Sequence, residues 1–248
     1  MKLLRLGLSD DRYGDLETSA RSWHIAQTRL EEASGEPWET VFGPSWPYPD
    51  WAERLESSLD EHSPDMVMVC CAAYWVAYPS APLKASRSRI PLGGRLGGVA
   101  RDLARRPVFG DRALVHAARR LVLGSAGGAF HREPVEASKS VESALRVILQ
   151  REEIAVAVRG PLPFRVDGSR KLIAVCEARR SAFNDSLAAV CSRLHVEYLP
   201  YGPQDVHPMT ELLGDRIHVN EAGHKRRADQ EFGVMERAWN SHVHATSR

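Results

Sequence analysis

Short apolar runs rich in β-branched residues alternate along this chain with longer runs whose apolar residues recur at helical spacing. Such alternation predicts a parallel sheet flanked by helices. The opening run "KLLRLGL", residues 2–8, reads as the first strand. Residues 15–33 follow with Leu16, Ala20, Trp23, Ile25 and Leu30 at helical intervals and Gly35 just beyond, which predicts a helix with a glycine stop. "WETVF", 38–42, is the second strand. Over 48–64, Trp51, Leu55 and Leu59 recur every four residues and Pro64 closes the helix. "DMVMVCCAA", 65–73, is apolar throughout, as a strand covered on both faces should be.

The rhythm breaks between residues 78 and 136. A stretch rich in Pro, Gly and Ser reads as irregular loop, followed by two short helices over 99–106 and 111–124. The alternation then resumes, with a helix over 140–152 and a strand over 154–160. A long amphipathic helix over 169–194 aligns Leu172, Val175, Phe183, Leu187, Val190 and Leu194 along one side. A last strand over 196–200 and a closing helix from Glu221 to Trp239 complete the pattern. Residues 1–248 thus read as one α/β domain with a five-stranded parallel sheet, interrupted by a cap or loop insertion at 78–136.

Charge narrows the function classes. Lys and Arg number 33 against 32 Asp and Glu, so no global field argues for nucleic acid. From Ser80 to Ser140 the balance shifts to twelve basic against four acidic residues. That segment is either a solvated insertion or a cap over a site that accepts an anionic substrate. No apolar run is long enough to span a membrane, and the first apolar stretch is too short for a signal peptide. Four cysteines lack metal-type spacing and are read as reduced core residues, two of them adjacent (Cys70, Cys71). A cytoplasmic protein is expected.

Sites in open parallel sheets form at the carboxyl ends of the strands. That rule nominates Ser9, one residue past the first strand, with Gly7 before it. It also nominates the "GDRIHVNEAGH" stretch that leads into the closing helix. His218 has the intrinsic basicity to take a proton from a serine hydroxyl, and Asp215, three residues earlier, is spaced to orient its ring. Asp, Asn and Gly are also ordinary turn and cap residues, so a purely structural role for the stretch stays open. A metal site of Asp205, His207 and His218 is a minor alternative, which no HExxH or HxH spacing supports. No cofactor is expected.

These residues resemble the SGNH (GDSL-type) hydrolase superfamily over nearly the whole chain. The resemblance rests on a serine after the first strand ("GLS") and a glycine after the second ("FGPS"). It adds an asparagine in the helix before the last strand ("AFNDSL") and, most specifically, the terminal Asp-x-x-His block with Gly223 and His224. It implies a flavodoxin-like three-layer α/β/α sandwich and metal-free hydrolysis of esters, thioesters or O-acyl groups. Ser9 would then be the nucleophile, His218 the base and Asp215 the orienting acid, with the backbone amides of Ser9 and Gly43 holding the oxyanion. Leu8 stands where the family usually has Asp. Ala73 falls where the family usually has an oxyanion-binding Asn, which marks a divergent member; Tyr74 or Trp75 is the candidate replacement donor. Asn184 is read as a hydrogen-bonding helix residue and His224 as a helix-surface or supporting residue. The implied substrate is a small acyl ester, anionic if the basic insertion covers the site. Two further readings stay open: an acyltransferase using the same triad, and a catalytically weak relative that binds a ligand or partner in the same pocket.

Overall fold

The computed structural model describes residues 1–7, 11, 15–44, 51–80, 83–84, 128–164, 168–213 and 218–246. Its strands are β1 (Lys2–Leu6), β2 (Glu39–Phe42), β3 (Met66–Cys70), β4 (Ala155–Arg159) and β5 (Glu197–Leu199). They form one sheet in the order β2-β1-β3-β4-β5, with every pairing parallel. The described helices are α1 (Ser22–Ser34), α2 (Trp51–His62), α3 (Tyr74–Ala77), α4 (Pro134–Ile148), α5 (Arg170–Leu194) and α6 (Glu221–Thr246). The chain is a three-layer α/β/α sandwich, as its pattern predicts.

Two apolar cores lie on opposite sides of the sheet, because successive strand side chains alternate faces. Leu4, Leu6, Val67, Val69, Val156 and Val158 point toward α2, α4 and α5, where Leu55, Leu59, Val141, Leu145, Phe183 and Leu187 meet them. Leu3, Met66, Met68, Ala155 and Ala157 point the other way, toward Ala26 and Leu30 of α1 and Ala228, Val234 and Met235 of α6. Each fully buried Leu, Val or Phe contributes about 1.5–3 kcal/mol of transfer free energy, so both layers are firmly held.

Several boundaries differ from the sequence reading. The first helix starts at Ser22 rather than near residue 15, because Arg21 is extended (φ −85°, ψ 142°). The Arg21 guanidinium is tied back to the carbonyls of Asp11 and Leu16. α4 starts at Pro134, several residues earlier than expected, with proline in its first turn. α5 keeps its expected span and is capped by Ser169, whose side chain accepts the Leu172 N–H. Its buried face, however, is Cys176, Arg180, Phe183, Leu187 and Val190, while Val175 is exposed. α6 continues past Trp239 to Thr246.

All four cysteines are buried and unpaired, as read from the sequence. The segment read as an insertion is closed at its root by an antiparallel bridge between Ser80 and Ala129. The two short helices expected at 99–106 and 111–124 lie outside the described residues.

Candidate functional site

The carboxyl edge of the sheet gathers an unusual set of charges. β1, β3 and β4 reach this edge with Arg5, Cys70 and Arg159 on the α1/α6 side. Arg5 pairs through Nη2 with Asp11 Oδ1 at 2.9 Å and through Nη1 with Glu231 Oε2 at 3.0 Å. Arg159 Nη1 bonds to Glu231 Oε1, so one carboxylate of α6 joins two strands of the sheet. All four side chains are essentially inaccessible to solvent. Burial alone would raise the Glu231 carboxyl, but the Arg5 and Arg159 guanidiniums overcome that and hold it below the usual carboxylate range. Burial pushes the neighbouring Cys70 thiol up to about 11 against the pull of the same two arginines, leaving it protonated and unreactive.

Asp11 is fixed from several directions. Its carbonyl accepts Arg21 Nη1 and Trp23 Nε1, each at 3.2 Å. Its carboxylate lies against Gly7, where a Cβ would overlap Oδ2. Glycine is required there by close approach. Asp11 and Gly7 thereby bracket Leu8, Ser9 and Asp10. Ser9 itself, the predicted nucleophile, lies outside the described residues, and so does Asp215.

His218 is described and half-buried. Its carbonyl accepts the Leu213 N–H at 2.8 Å, and the next residue, Val219, forms an antiparallel bridge with Leu212. Asn220 donates its backbone N–H to Glu211 O and its side-chain amide to Thr210 O. It also caps α6, its Oδ1 accepting the Gly223 N–H at 3.2 Å. A Cβ on Gly223 would collide with Glu211 O and Val219, so this glycine serves the close packing of the bridge. His224 is buried, not on the helix surface, and its Nδ1 accepts the backbone N–H of Ser22. The amino-terminal ends of α1 and α6 therefore meet, and the same end of α1 holds the Asp11 carbonyl.

The predicted oxyanion residues fare differently. The Gly43 N–H donates to the Arg5 carbonyl at 3.0 Å, continuing the β1–β2 ladder. A role in an oxyanion hole would require that bond to open. A Cβ on Gly43 would press on Leu6 and Leu4 side chains, which gives this glycine a packing reason. Ala73 lies three residues beyond β3, is buried, and stands at the start of α3, where its carbonyl accepts the Ala77 N–H. Tyr74 is 49% exposed and its hydroxyl lies 3.1 Å from His131 Nε2. Its ring packs between those of Tyr78 and His131. Trp75 belongs to the apolar core.

The other sequence candidates are structural. Asn184 Oδ1 accepts the Tyr198 hydroxyl and the Tyr201 N–H, tying α5 to β5. Asp205 Oδ2 closes a turn on the Gly202 N–H. His207 Nδ1 lies 2.7 Å from Glu211 Oε2, and burial outweighs that partner to lower its basicity. Among the described residues no three His, Cys, Asp or Glu side chains converge as metal ligands. No described helix is long and apolar enough to cross a membrane.

The Arg5–Asp11–Glu231–Arg159 network went unread in the sequence. Its signal was there: "KLLRLGL" and "AVAVRG" each place an arginine in a strand buried on both faces, where a charge requires a partner.

No protein-family model matches the chain, and no curated protein matches it in sequence. Solved structures match it along almost its full length. TesA superposes with a TM-score of 0.58 at 15% identity, over 96% of this chain and 99% of TesA. Est24, a carbohydrate acetylesterase from Sinorhizobium meliloti, gives 0.56 at 12% identity, over 95% of this chain and 97% of its own. A protein from Parabacteroides merdae assigned to the GDSL-like lipases gives 0.54 at 11% identity, over 95% and 94%. The likeness is one of fold.

Proposed function

We propose that this chain, which shares its fold with GDSL-like esterases and acylhydrolases, is a divergent SGNH hydrolase that cleaves an ester, thioester or O-acyl group. Ser9 Oγ attacks the acyl carbonyl while His218 takes its proton, and Asp215 orients the imidazole and stabilises the imidazolium. The protonated His218 then passes the proton to the leaving group; the neutral ring next takes a proton from water as the water oxygen adds to the acyl carbonyl, and returns it to Ser9 Oγ as the acid departs. One observation carries the reading. His218 is presented by the Leu212–Val219 bridge just ahead of α6, and the His224–Ser22 bond joins that helix end to the start of α1, where Arg21 and Trp23 hold the Asp11 carbonyl. That His218 precedes α6 in the segment after β5 supports the reading, since an open parallel sheet carries its chemistry in the loops beyond its strands.

The substrate we infer is a small acyl ester. The acetylesterase activity named for Est24 makes an acylated sugar a reasonable first trial. The twelve basic residues between Ser80 and Ser140 favour an anionic one. Four unpaired buried thiols suit a reducing compartment, so we place the protein in the cytoplasm.

A second reading has an observation of its own. With the Gly43 N–H committed to Arg5 and Ala73 unable to donate from its side chain, the oxyanion is poorly served, which suits a slow enzyme or a ligand-binding relative. Treatment with a fluorophosphonate, followed by peptide mapping and turnover of p-nitrophenyl esters, separates the two. Labelling at Ser9, abolished in Ser9→Ala and His218→Ala, is expected. A protein that turns over esters but is labelled at another serine, or not at all, sinks the assignment.

A further inference from the structure

We propose that Asp11, clamped by Arg5 and linked through Glu231 to Arg159, is a positioning residue for the Ser9 hydroxyl; this rests on the reading of Ser9 as nucleophile. Asp11, four residues after Gly7, is tied back to β1, because its carboxylate bonds to a side chain of that strand, Arg5, at 2.9 Å. Gly7, having no Cβ, lets that carboxylate come down against the backbone. Gly7 and Asp11, the residues at either end of 8–10, are thus both held against β1. The Asp11 carbonyl, held by Arg21 and Trp23, pins the far end a second time, to the start of α1.

Glu231 extends the clamp to the other half of the site. It stands on α6, the helix that begins three residues after His218, and it bonds both Arg5 and Arg159. The strand before Ser9 and the helix after His218 therefore share one buried carboxylate. Stability gives a weak reason for this arrangement, since buried ion networks replaced by apolar groups of similar volume are often neutral or more stable. Geometry gives a stronger one. The paired charges set the relative placement of β1, β4 and α6 more narrowly than an apolar contact, which tolerates sliding, would do.

Asp11→Asn tests this, because it removes the charge and keeps the shape, while Arg5 retains Glu231 as its partner. Should the single variant fail to fold, Arg5→Gln/Asp11→Asn is charge-balanced and leaves the Glu231–Arg159 pair in place. The rate of fluorophosphonate labelling at Ser9 and the kcat on a p-nitrophenyl ester are measured well below each variant's Tm. Both are expected to fall about ten- to a hundred-fold, the scale of a small misplacement of reacting groups, with KM changed by less than about twofold. The pH at which the rate rises should stay that of the wild type, because His218 is untouched. Amides of residues 3–16 should exchange hydrogen faster while those of α5 do not. A folded variant that labels at the wild-type rate overturns the positioning role alone. A wild type unlabelled at Ser9 overturns the nucleophile, and the proposal with it.

Discussion

His224 Nδ1 accepts the backbone N–H of Ser22 at 3.2 Å, across 202 residues of sequence. Ser22 opens α1, and its amide is one of the first-turn donors that a helix cannot satisfy internally. His224 supplies the missing acceptor from α6, and it does so in a fully buried setting. His224→Ala should therefore leave a buried donor unpaired and cost about 1–3 kcal/mol of stability. Urea unfolding measures this. A loss below a few tenths of a kcal/mol would mean that another acceptor takes the Ser22 amide. His224→Gln, able to accept at similar reach, should recover part of the loss.

The outcome at His224 shows what the sequence could and could not convey. Strand and helix order were legible because periods of two and 3.6 residues differ plainly, as in the run Met66–Cys70 and in Trp51, Leu55 and Leu59. The start of α1 was not, since Arg21 is held extended by carbonyls that the local pattern does not contain. The terminal block mixed two purposes. Asn220, Gly223 and His224 proved to serve a cap, a close approach and an interhelical bond, and only His218 and Asp215 keep a role in the proposed chemistry. A motif read along the chain cannot separate these, because each depends on a partner far away in sequence. Arg5, Asp11, Arg159 and Glu231 make the same point: the apolar strands mark the two arginines as charges in need of partners, but only the fold shows that Asp11 and Glu231 are those partners.

Acid should act on this protein in two stages. Burial, offset by the bond to Glu211, lowers His207 from its ordinary value of 6.5. The unfolded chain therefore binds a proton that the folded one resists. The stability from the neutral ring is complete above 6.5 and is lost as pH falls from there toward the folded value. Glu231, held low by Arg5 and Arg159 despite its burial, adds a second loss, which starts near its ordinary value of 4.5 and deepens below it. Urea midpoints between pH 8 and pH 3 should show a shallow decline followed by a steep one. In His207→Gln the shallow part should vanish and the steep part persist. A His207→Gln protein that keeps the decline beginning near 6.5 would assign it to another histidine.

The oxyanion is where the proposed mechanism is most exposed. Ala73 lies three residues beyond β3, buried at the start of α3, and Gly43 donates its N–H to the Arg5 carbonyl. With the Ser9 amide as the main remaining donor, turnover of generic esters should be slow. One well-aligned hydrogen bond to a developing oxyanion contributes about 2–4 kcal/mol. Ala73→Asn should therefore raise kcat, though by roughly tenfold rather than the full amount, because no surrounding groups hold an amide in place there. The price is stability, since Ala73 is only 5% exposed and the larger side chain must displace neighbours. Tyr74→Phe is the companion experiment. The Tyr74 hydroxyl sits 3.1 Å from His131 Nε2, and Phe keeps the ring between Tyr78 and His131 while removing the oxygen. If kcat is slow and Tyr74→Phe leaves it unchanged, the hydroxyl serves only the ring cluster and Ala73→Asn should show its gain. If wild-type turnover is brisk and Tyr74→Phe cuts kcat by about a hundredfold at constant KM, Tyr74 already holds the oxyanion. In that case Ala73→Asn should bring no gain, and the divergence at position 73 would be compensated one residue further along the chain.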